Sequence, residues 1–341
     1  MPIPDALQRL APTDLIIYRK SRYEGGGFNV SLRDFAPEDA ALILRLYSSI
    51  KKIYDLWLYM KDEPNYPLIS EQLVKEFGSD QFRISAQAIG AATYTVQEPS
   101  PLMRKVMHDI RGGALTVLVG LSSFLKMMPD HVPTIEQCLT MVRDHAKLMR
   151  NAIEDIDPMV RMADESVKVH PISDFVNKWQ NLGFEIAGKK VVVTVESSFT
   201  GNITSRCLET SAIDRILYNY INNAARFTAD NRVGLTIFAV NDDLVRWVVQ
   251  NSITPEQRQW LAGNVGDDLG RLFKGGLTRG GHGLGLSSCT DFVAASFGVE
   301  PDYAIEKGYL GARLVDDHFC GWFHWPAYMA RADEEVCECA D

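Results

Sequence analysis

The stretch SAIDRILYNYINNAARFT, residues 211–228, decides how the second half of the chain folds. Its apolar residues recur at helical spacing and predict an amphipathic helix. Asn219 and Asn223 lie four residues apart, so both side chains share one face of that helix, and Arg226 lies next to the same face. An amide beside a cation can bind a hard metal ion together with phosphate oxygens. Asparagine is also common on solvent-exposed helix faces, so these residues alone leave both interpretations open.

Strand-like segments lie on both sides of this helix. They are KKVVVTVES (residues 189–197), VGLTIFAV (233–240) and LVRWVVQN (244–251). The residues Asn241, Asp242 and Asp243 predict a hairpin turn between the last two segments. Strands that alternate with helices and form an antiparallel hairpin are typical of an α+β sandwich, so we predict that architecture here.

A glycine-rich stretch, GGHGLGLSS (residues 280–288), comes before another predicted helix, CTDFVAASFG. Glycines at the start of a helix let backbone N–H groups approach a phosphate, and the helix dipole favours the anion. Glycine loops also serve as ordinary turns, so this pattern is weak by itself. The loop before it contains Phe273 and Lys274, which we predict to cover a nucleotide.

A pair of helices with a heptad pattern is predicted in the middle of the chain. The first apolar stripe is Met103, Met107, Ile110, Ala114, Val117, Leu121, Phe124 and Met128, and the second is Ile135, Cys138, Val142, Ala146, Met149, Ile153, Ile156 and Val160. Prolines in MPDHVP (residues 128–133) end the first helix, and we predict that Thr134 caps the second, with Gln137 completing a capping box. Such a hairpin buries little alone, so we predict a four-helix bundle formed by a homodimer.

The first of these helices contains VMHDIRGGALT, residues 106–116. His108 follows the stripe residue Met107, which places it beside the bundle seam rather than in it. A histidine next to Asp109 is either a nucleophile held by its base or an ordinary polar pair on a helix. The residues themselves do not distinguish the two interpretations.

Composition excludes several classes of protein. A net charge of −9 over 341 residues argues against nucleic-acid binding, which requires clustered lysine and arginine. Six cysteines without framework spacing, and a start without a signal peptide, predict a reducing, cytoplasmic location. Apolar runs stay well short of 18 residues, so we predict no membrane span.

Residues 1–97 contain no chemical motif and are predicted to form a mixed sensory or regulatory region. Within them PEDAALILRLYSSIKKIYDLWLYM (residues 37–60) predicts a core helix. We assign residues 98–168 to the helical hairpin, 169–330 to the sandwich domain and 331–341 to an acidic tail.

Four motifs in this order resemble those of sensor histidine kinases of two-component systems, which belong to the GHKL (HATPase) superfamily. They are HDIRGGAL (108–115), NYINNAARFT (219–228), LGRLFKGG (269–276) and GGHGLGLS (280–287). The resemblance covers about residues 98–328. It implies a dimerisation and phosphotransfer hairpin followed by an ATP-binding domain.

The resemblance also implies roles for individual residues. His108 matches the phosphoacceptor and Asp109 the adjacent general base. The implied ATP and Mg²⁺ site consists of Asn223 as the metal ligand, Asn219, Arg226, Phe273 and Lys274 around the nucleotide, and Gly281, Gly283 and Gly285 beneath its phosphates. The implied activity is autophosphorylation of His108 from ATP, followed by transfer to an aspartate in the receiver domain of a response regulator.

Two departures from the family pattern matter. The adenine-binding G1 box usually reads D-x-G-x-G, yet WVVQNSITPEQ (247–257) has Asn251, or Gln250, at the aspartate position and lacks the glycines. An amide oxygen can still accept a hydrogen bond, so weakened ATP binding is expected. Gly112 and Gly113 replace the residues that support dephosphorylation, which predicts weak or absent phosphatase activity.

Two other functions stay open. One is a phosphotransfer or scaffold protein that binds ATP poorly and whose His108 is loaded by a partner. A more distant one is a GHKL kinase that phosphorylates a side chain other than histidine, which the His108–Asp109 pair on a heptad hairpin disfavours.

Overall fold

The computed structural model describes residues 3–18, 29–91, 101–111, 113–164, 167–186, 189–277 and 285–328. It is helical with a mixed sheet, an α+β architecture. The chain divides into two compact units: the helical unit, Gly26–Asp164, and the sandwich unit, Met1–Gly25 with Glu165–Asp341. The compact units meet at Gly25/Gly26 and at Asp164/Glu165. The domain boundaries predicted from the sequence separate regions by expected function and stay predictions. The acidic tail at 331–341 lies outside the described residues.

The helical unit is built from consecutive helices. They are α2 (Pro37–Tyr59), α3 (Tyr66–Phe77), α4 (Asp80–Ala91), α5 (Pro101–Arg111), α6 (Gly113–Met127), α7 (Val132–Ala152) and α8 (Pro158–Asp164). The predicted core helix at residues 37–60 is confirmed as α2. Its stripe of Ile43, Leu46, Ile50 and Ile53 is buried, as expected for apolar side chains at helical spacing.

The predicted heptad hairpin corresponds to α5, α6 and α7. Helix α5 ends at Arg111 and α6 begins at Gly113, with Gly112 outside the described residues. The predicted cap of the second helix is wrong. Helix α7 begins at Val132 and its N-cap is His131, because Pro133 fits the first helical turn, where its missing N–H costs nothing.

Helix α7 lies at the centre of the helical unit and packs against α2, α3, α5, α6 and α8. In its last third, buried residues come from every side of the helix. They are Asp144, His145, Ala146, Leu148, Met149, Arg150, Asn151 and Ala152. The packing partners therefore include α2 and α3, which lie within the region predicted to be sensory or regulatory.

A buried polar network fixes the end of α7 to α2 and α8. The Arg150 guanidinium donates to Asp164 at 2.7 Å and lies 3.5 Å from the hydroxyl of Tyr47, which itself donates to Asp157 at 2.7 Å. Burial alone would lower the pKa of Arg150, but Asp164 and Tyr47 outweigh it and raise that pKa. Lys51 of α2 adds an ion pair with Asp157 at 3.3 Å.

One stretch of the described chain, Leu102–Met127, is long and apolar enough to cross a membrane, with a mean hydropathy of 1.3 in its best window. Of that window, 44% is buried inside the structure. The core helix of a water-soluble protein meets the same criteria of length and composition, so the finding is weak evidence for a span.

The sandwich unit contains the remaining elements. Its helices are α1 (Asp5–Gln8), α9 (Ile172–Trp179), α10 (Cys207–Phe227), α11 (Pro255–Asn264), α12 (Gly285–Phe297) and α13 (Pro301–Glu306). Its strands are β1 (Val167–Pro171), β2 (Gly183–Ile186), β3 (Lys189–Ser197), β4 (Asn202–Arg206), β5 (Arg232–Asn241), β6 (Leu244–Ser252), β7 (Leu310–Val315) and β8 (His318–Pro326).

Six strands form the main sheet in the order β2-β3-β5-β6-β8-β7, and β1 pairs with β4. Only β3 and β5 are parallel neighbours in the main sheet. The three strands predicted from the sequence are confirmed as β3, β5 and β6, and so is the hairpin turn, in which Asp243 N donates to Asn241 Oδ1 at 3.0 Å.

Helices α9 and α10 cover one face of this sheet. Trp247 on β6 packs edge-on against Phe175 of α9, and Phe323 on β8 lies 5.8 Å from the ring of Tyr220 on α10. Adjacent residues on a strand point to opposite faces, so Val248 and Trp322 lie on the other face.

That second face is covered by the N-terminal strap, which we define as residues 3–18. Leu7 and Leu10 of the strap form one buried cluster with Phe238, Val248 and Trp322. Hydrogen bonds anchor its later part: Tyr309 Oη donates to Ile16 O at 2.8 Å, and Tyr18 N donates to Phe297 O at 2.9 Å. These residues were predicted to belong to a sensory or regulatory region, and they pack as part of the sandwich unit.

A buried arginine on β6 holds the strap in place. All five N–H donors of Arg246 have an acceptor: His324 Nε2 at 2.9 Å and the backbone oxygens of Leu7, Gln8, Ala11 and Pro12 at 2.7–3.2 Å. Burial lowers the pKa of Arg246 to about 10, so it remains charged at neutral pH.

We predict a pH dependence from His324. Burial and, to a lesser extent, the charge of Arg246 lower the pKa of His324 from 6.5, the value of an exposed histidine, to about 3. The unfolded chain therefore binds the proton more readily. This contribution to stability is complete above about pH 6.5 and is lost as the pH falls toward 3, by about 1.4 kcal/mol per pH unit.

Denaturant titrations of the wild type and His324→Gln between pH 7 and pH 4 test this. The variant keeps an acceptor for Arg246 but does not titrate, so its free energy of unfolding should fall less steeply with pH. His318→Gln, at an exposed histidine on the same strand, is the control and should keep the wild-type slope. Equal slopes for all three proteins would contradict the prediction.

We predict that Asp164→Ala destabilises the helical unit by about 3–5 kcal/mol, because it leaves the buried Arg150 charge without its carboxylate. Asp55→Ala, which removes the exposed partner of Lys51, should cost less than about 1 kcal/mol. Removing both buried charges, in Arg150→Met with Asp164→Leu, should cost less than Asp164→Ala alone. Chemical denaturation measures all three, and equal losses for the two aspartate variants would refute the role of the network.

Candidate functional site

Helix α10 presents the two predicted asparagines from one side. Most of the helix is buried, but Asn219 and Asn223 are half-buried, and Arg226 near its end is exposed. The Arg226 guanidinium lies 5.5 Å from the centre of the Phe227 ring. The helix therefore places two amides and a cation along a partly accessible side of the sandwich unit.

The chain after β6 is bonded to the end of α10. Ala229 N donates to Ser252 O at 3.1 Å, and Gln257 Nε2 donates to Phe227 O at 2.9 Å. Thr254 and Gln257 form a capping box at the start of α11. These bonds bring the degenerate G1 segment close to the end of the helix that carries Asn223 and Arg226.

Asn251, which with Gln250 is one of the two candidates for the family's aspartate position, is buried at the end of β6. Its Nδ2 donates to the backbone oxygen of Ser252 at 3.0 Å, which leaves the amide oxygen as the acceptor of this side chain. An adenine amino group needs an acceptor of this kind. The residue is therefore compatible with adenine, although it lacks the charge of an aspartate.

A polar cluster beside Asn251 was not found from the sequence. Thr228 Oγ1 donates to Asp230 Oδ1 at 2.9 Å and lies 3.5 Å from Ser252 Oγ. Burial raises the pKa of Asp230, but hydrogen bonds from Ser252, Thr228 and the Arg232 backbone outweigh it, and the net shift is downward. The sequence Thr228-Ala229-Asp230 after the helix contains no motif that predicts this cluster.

The predicted nucleotide-covering residues lie in different environments. Phe273 is buried, with its ring 5.9 Å from that of Tyr220, and its carbonyl oxygen accepts a hydrogen bond from Thr290 Oγ1. Lys274 is exposed and its Nζ lies 3.4 Å from Asp302 Oδ1. Phe273 therefore packs in the core between α10 and α12, and Lys274 is the more accessible of the two.

The glycines of the predicted phosphate loop are only partly described. Gly285 begins α12, and its carbonyl oxygen accepts from Cys289 Sγ at 3.1 Å. Gly281 and Gly283 lie outside the described residues. Of the predicted phosphate loop, the start of α12 is the part within the described residues.

Tyr220 connects α10 to the sheet next to Asn219. Its hydroxyl donates to Trp322 O at 2.9 Å, and its ring lies over Gly321, where an added Cβ would be 2.9 Å from a ring carbon. Burial raises the pKa of Tyr220 well above its ordinary value, so the hydroxyl stays protonated. This packing fixes the height of α10 above the sheet.

In the helical unit, the predicted phosphoacceptor and its acid are adjacent. His108 Nδ1 lies 3.2 Å from Asp109 Oδ1. The side chain of His108 is 26% exposed, whereas that of Asp109 is 1% exposed. The imidazole is therefore accessible from outside while the carboxylate that orients it is buried.

The donor set around Asn223 suits Mg²⁺ only together with phosphates. Within the described ranges, no group of three or more His, Cys, Asp or Glu side chains could hold a metal ion. An amide oxygen is a suitable hard ligand, and Mg²⁺ usually takes one or two protein ligands plus waters and phosphate oxygens.

Comparison with known proteins finds no matching family model and no matching curated protein. Among solved structures, a mycobacterial sensor histidine kinase, MprB, is 17% identical with a TM-score of 0.28, over 40% of this chain and 84% of that one. Full-length ShkA in complex with AMPPNP is 19% identical with a TM-score of 0.30, over 76% of this chain and 47% of that one.

A third similar structure is the histidine kinase ThkA in complex with the response regulator protein TrrA. It is 12% identical with a TM-score of 0.26, over 75% of this chain and 67% of that one. The structural neighbours are thus sensor histidine kinases, and this chain spans about half the length of ShkA. At such identities and TM-scores the likeness carries no argument about activity, which has to come from the residues themselves.

We predict that Gln257→Ala loosens the G1 segment from α10, because it removes the bond to Phe227 O and one half of the capping box. The expected loss is about 1–2 kcal/mol in the free energy of unfolding of the sandwich unit. Gln259→Ala, at an exposed position of α11, should change it by less than about 0.5 kcal/mol. Denaturant midpoints measure both, and equal shifts for the two variants would disprove the anchoring role.

Proposed function

We propose that the chain is an ATP-dependent protein-histidine kinase that phosphorylates His108 and passes the phosphoryl group to an aspartate in a response-regulator receiver domain. The observation that carries the proposal is the pairing of a partly exposed histidine with a buried carboxylate, in a chain that also carries two half-buried asparagines on one side of α10. The proposal includes the cytoplasmic location predicted from the sequence.

The geometry at His108 supports a nucleophilic role. With the proton on Nδ1, directed at Asp109 Oδ1, the other ring nitrogen, Nε2, carries the lone pair. Nε2 attacks the γ-phosphorus of ATP, and the N–P bond forms as the bond to the β,γ-bridging oxygen breaks. ADP leaves with that electron pair, and Asp109 accepts the Nδ1 proton.

Side chains of the sandwich unit would hold the nucleotide. Asn223 would supply a metal ligand, Asn219 and Arg226 polar contacts to the phosphates, and Asn251 an acceptor for the adenine amino group. A bound Mg²⁺ would neutralise charge on the phosphates. Lys274 is accessible enough to join them from the loop, whereas Phe273 would contribute by packing against Tyr220.

The second candidate is a phosphotransfer or scaffold protein whose His108 is loaded by a partner. The observation in its favour is Asn251, a neutral amide in a segment without the glycines of the adenine-binding motif. Asn219 and Asn223 favour the kinase, because two amides on an accessible side of α10 can contact the metal ion and phosphates of ATP.

Labelling with γ-³²P ATP and Mg²⁺ tests the proposal. Wild-type protein should acquire an acid-labile label, and His108→Gln should acquire none. Asn223→Ala should lose at least 10-fold in labelling rate, because it removes the proposed metal ligand. Asn222→Ala, one residue away on the same helix, and His131→Gln, on the same hairpin, are the matched controls and should label like the wild type.

Nucleotide binding measured by calorimetry separates the two candidates. A wild type with neither label nor measurable ATP binding would favour the phosphotransfer protein, and transfer of label from a phosphorylated receiver domain onto His108 would then support it. Acid-stable label on the wild type would indicate a different acceptor residue and contradict both candidates.

A further inference from the structure

We propose that strand β7 is the docking site for an extended peptide of a partner protein, in which acidic side chains alternate with apolar ones. The peptide would add a strand to the main sheet at the edge where β7 ends the strand order. The site lies wholly in the sandwich unit and is independent of the proposed kinase function.

The first observation is a cavity along the open side of β7, which we call the β7 groove. Its volume is about 860 Å³, within the range of ligand sites in proteins. Residues 310–314 of β7 line it, together with residues 9–12 of the strap and the segment 266–270 that follows α11. The edge of the sheet is therefore the floor of a groove with walls from two other parts of the sandwich unit.

The second observation is the direction of the β7 backbone groups. His324 N donates to Tyr309 O at 2.9 Å, so these two residues form a hydrogen-bonded pair at the start of the antiparallel β7–β8 ladder. Such pairs alternate with pairs whose backbone groups point away from the partner strand. Counted from Tyr309, the N–H and C=O groups of Ala312 and Leu314 point away from β8 and into the groove. Within the described part of the chain, no hydrogen bond to these four groups is present.

This open edge selects a polypeptide as the ligand. Ala312 and Leu314 are half-buried and lie two residues apart, which is the repeat of a strand. An extended chain carries its own donors and acceptors at the same repeat, so it can continue the ladder of hydrogen bonds.

One wall of the groove is apolar. Leu261 of α11 and Leu269 after it are buried, and the half-buried side chains of Ala312 and Leu314 pack against their cluster. A paired strand continues the sheet, so its side chains on this face would extend the same apolar layer. The apolar side chains of the peptide would therefore lie on this side.

The other wall is basic. Arg313 points to the strap, because its neighbours Ala312 and Leu314 point to the α11 side, and its Nη1 donates to Arg9 O at 3.4 Å. Arg9 and Arg313 are both exposed. The ion pair of Arg9 with Asp5 is weak, because it spans 3.6 Å between side chains that are 82% and 83% exposed. Acidic side chains of the peptide would therefore lie on this side.

The acidic residues that line the groove do not reverse this preference. Asp268 Oδ1 accepts from Gly270 N at 2.9 Å, and Glu306 pairs with Lys307 at 3.5 Å. Asp267 belongs to the segment after α11 rather than to the strap. Charge complementarity on the strap side thus favours an acidic partner, and the alternation of a strand places its apolar side chains on the α11 side.

Peptide binding to the full chain tests the proposal. The probe is a fluorescent peptide of four glutamate–valine repeats, titrated with protein and followed by anisotropy, and saturable binding is expected. A peptide with the four glutamates before the four valines, and one with lysine in place of glutamate, should each bind at least about 10-fold more weakly. Equal affinities for the three peptides, or no saturation up to about 0.3 mM protein, would overturn the inference.

Peptides with N-methyl groups test the strand pairing itself. In a strand, the backbone groups of alternate residues point to opposite edges, so all valine N–H groups face one edge and all glutamate N–H groups the other. Methylation of the valine nitrogens in one peptide, and of the glutamate nitrogens in another, should abolish binding in one and preserve it in the other. Equal effects of the two modifications would contradict pairing with an edge strand.

Variants of the chain locate the peptide on β7. Ala312→Pro removes an N–H donor that faces the groove and leaves the bonds to β8, so it should fold and bind at least about 10-fold more weakly. Ala312→Ser keeps the donor and is the matched control. Arg313→Ala, which leaves the backbone unchanged, should weaken binding about 5-fold. Arg45→Ala, at an exposed arginine of the helical unit, should bind as the wild type does.

The outcomes are distinct. Wild-type affinity in both Ala312→Pro and Arg313→Ala would place the peptide elsewhere and overturn the inference. A dimer that Ala312→Pro dissociates, measured by light scattering, would assign the edge to a second copy of this chain and overturn it as well. Peptide binding is measured without ATP, so its failure would leave the kinase proposal standing, and a failure of labelling with γ-³²P ATP would leave the docking site standing.

Discussion

The organisation of this protein depends on one buried guanidinium. Arg246 has no carboxylate partner and satisfies its five donors with a neutral histidine and four backbone oxygens of the strap. An isolated charge in an apolar interior is costly unless dipoles replace its water shell, and these carbonyl groups do so. The strap supplies the acceptors that the buried Arg246 requires. Arg246 in turn holds the strap, which has little regular structure of its own, against the sheet. Without this pairing the outer face of the sheet would be an apolar surface.

The parts that could be predicted from the sequence are those that local patterns specify. Strand β3 and helix α2 were located to within one residue because alternation, or apolar spacing, extends over their whole length. The polar residues Asn241, Asp242 and Asp243 predicted the turn before β6. The error at Thr134 arose where two helix-start signals compete, since Pro133 in the first turn places the beginning of α7 ahead of the predicted cap.

Local sequence patterns do not predict contacts between residues that are far apart in the chain. The bonds from Arg246 to the strap join residues 234–239 positions apart, and no periodicity marks either end. In the candidate site, the helix face of Asn219 and Asn223 was predictable from spacing alone. The cluster of Thr228, Asp230 and Ser252 was not, because it depends on where the end of β6 meets the end of α10.

Hydrophobic stripes specify that a helix must be covered but not by which helix. The hairpin has the heptad pattern of an intermolecular seam, and α2 and α3 have apolar stripes of the same chemistry. Within this chain α2 and α3 pack against the hairpin helices, and helices in one chain meet at a far higher effective concentration than helices of two chains. The polar network of Arg150, Tyr47 and Asp164 makes the packing of α2 and α8 on α7 specific, because a helix with only apolar side chains could not form these hydrogen bonds.

The strap has a consequence for biosynthesis. Residues 3–18 are synthesised before every strand of the sandwich unit, yet their binding surface on β5, β6 and β8 is completed only when Pro326 has been added. At about 5–20 residues per second, that is an interval of tens of seconds. The helical unit can fold during this interval, because residues 26–164 form one compact unit. The sandwich unit cannot be completed in that time, because the strap has its binding surface only after β8 has been made.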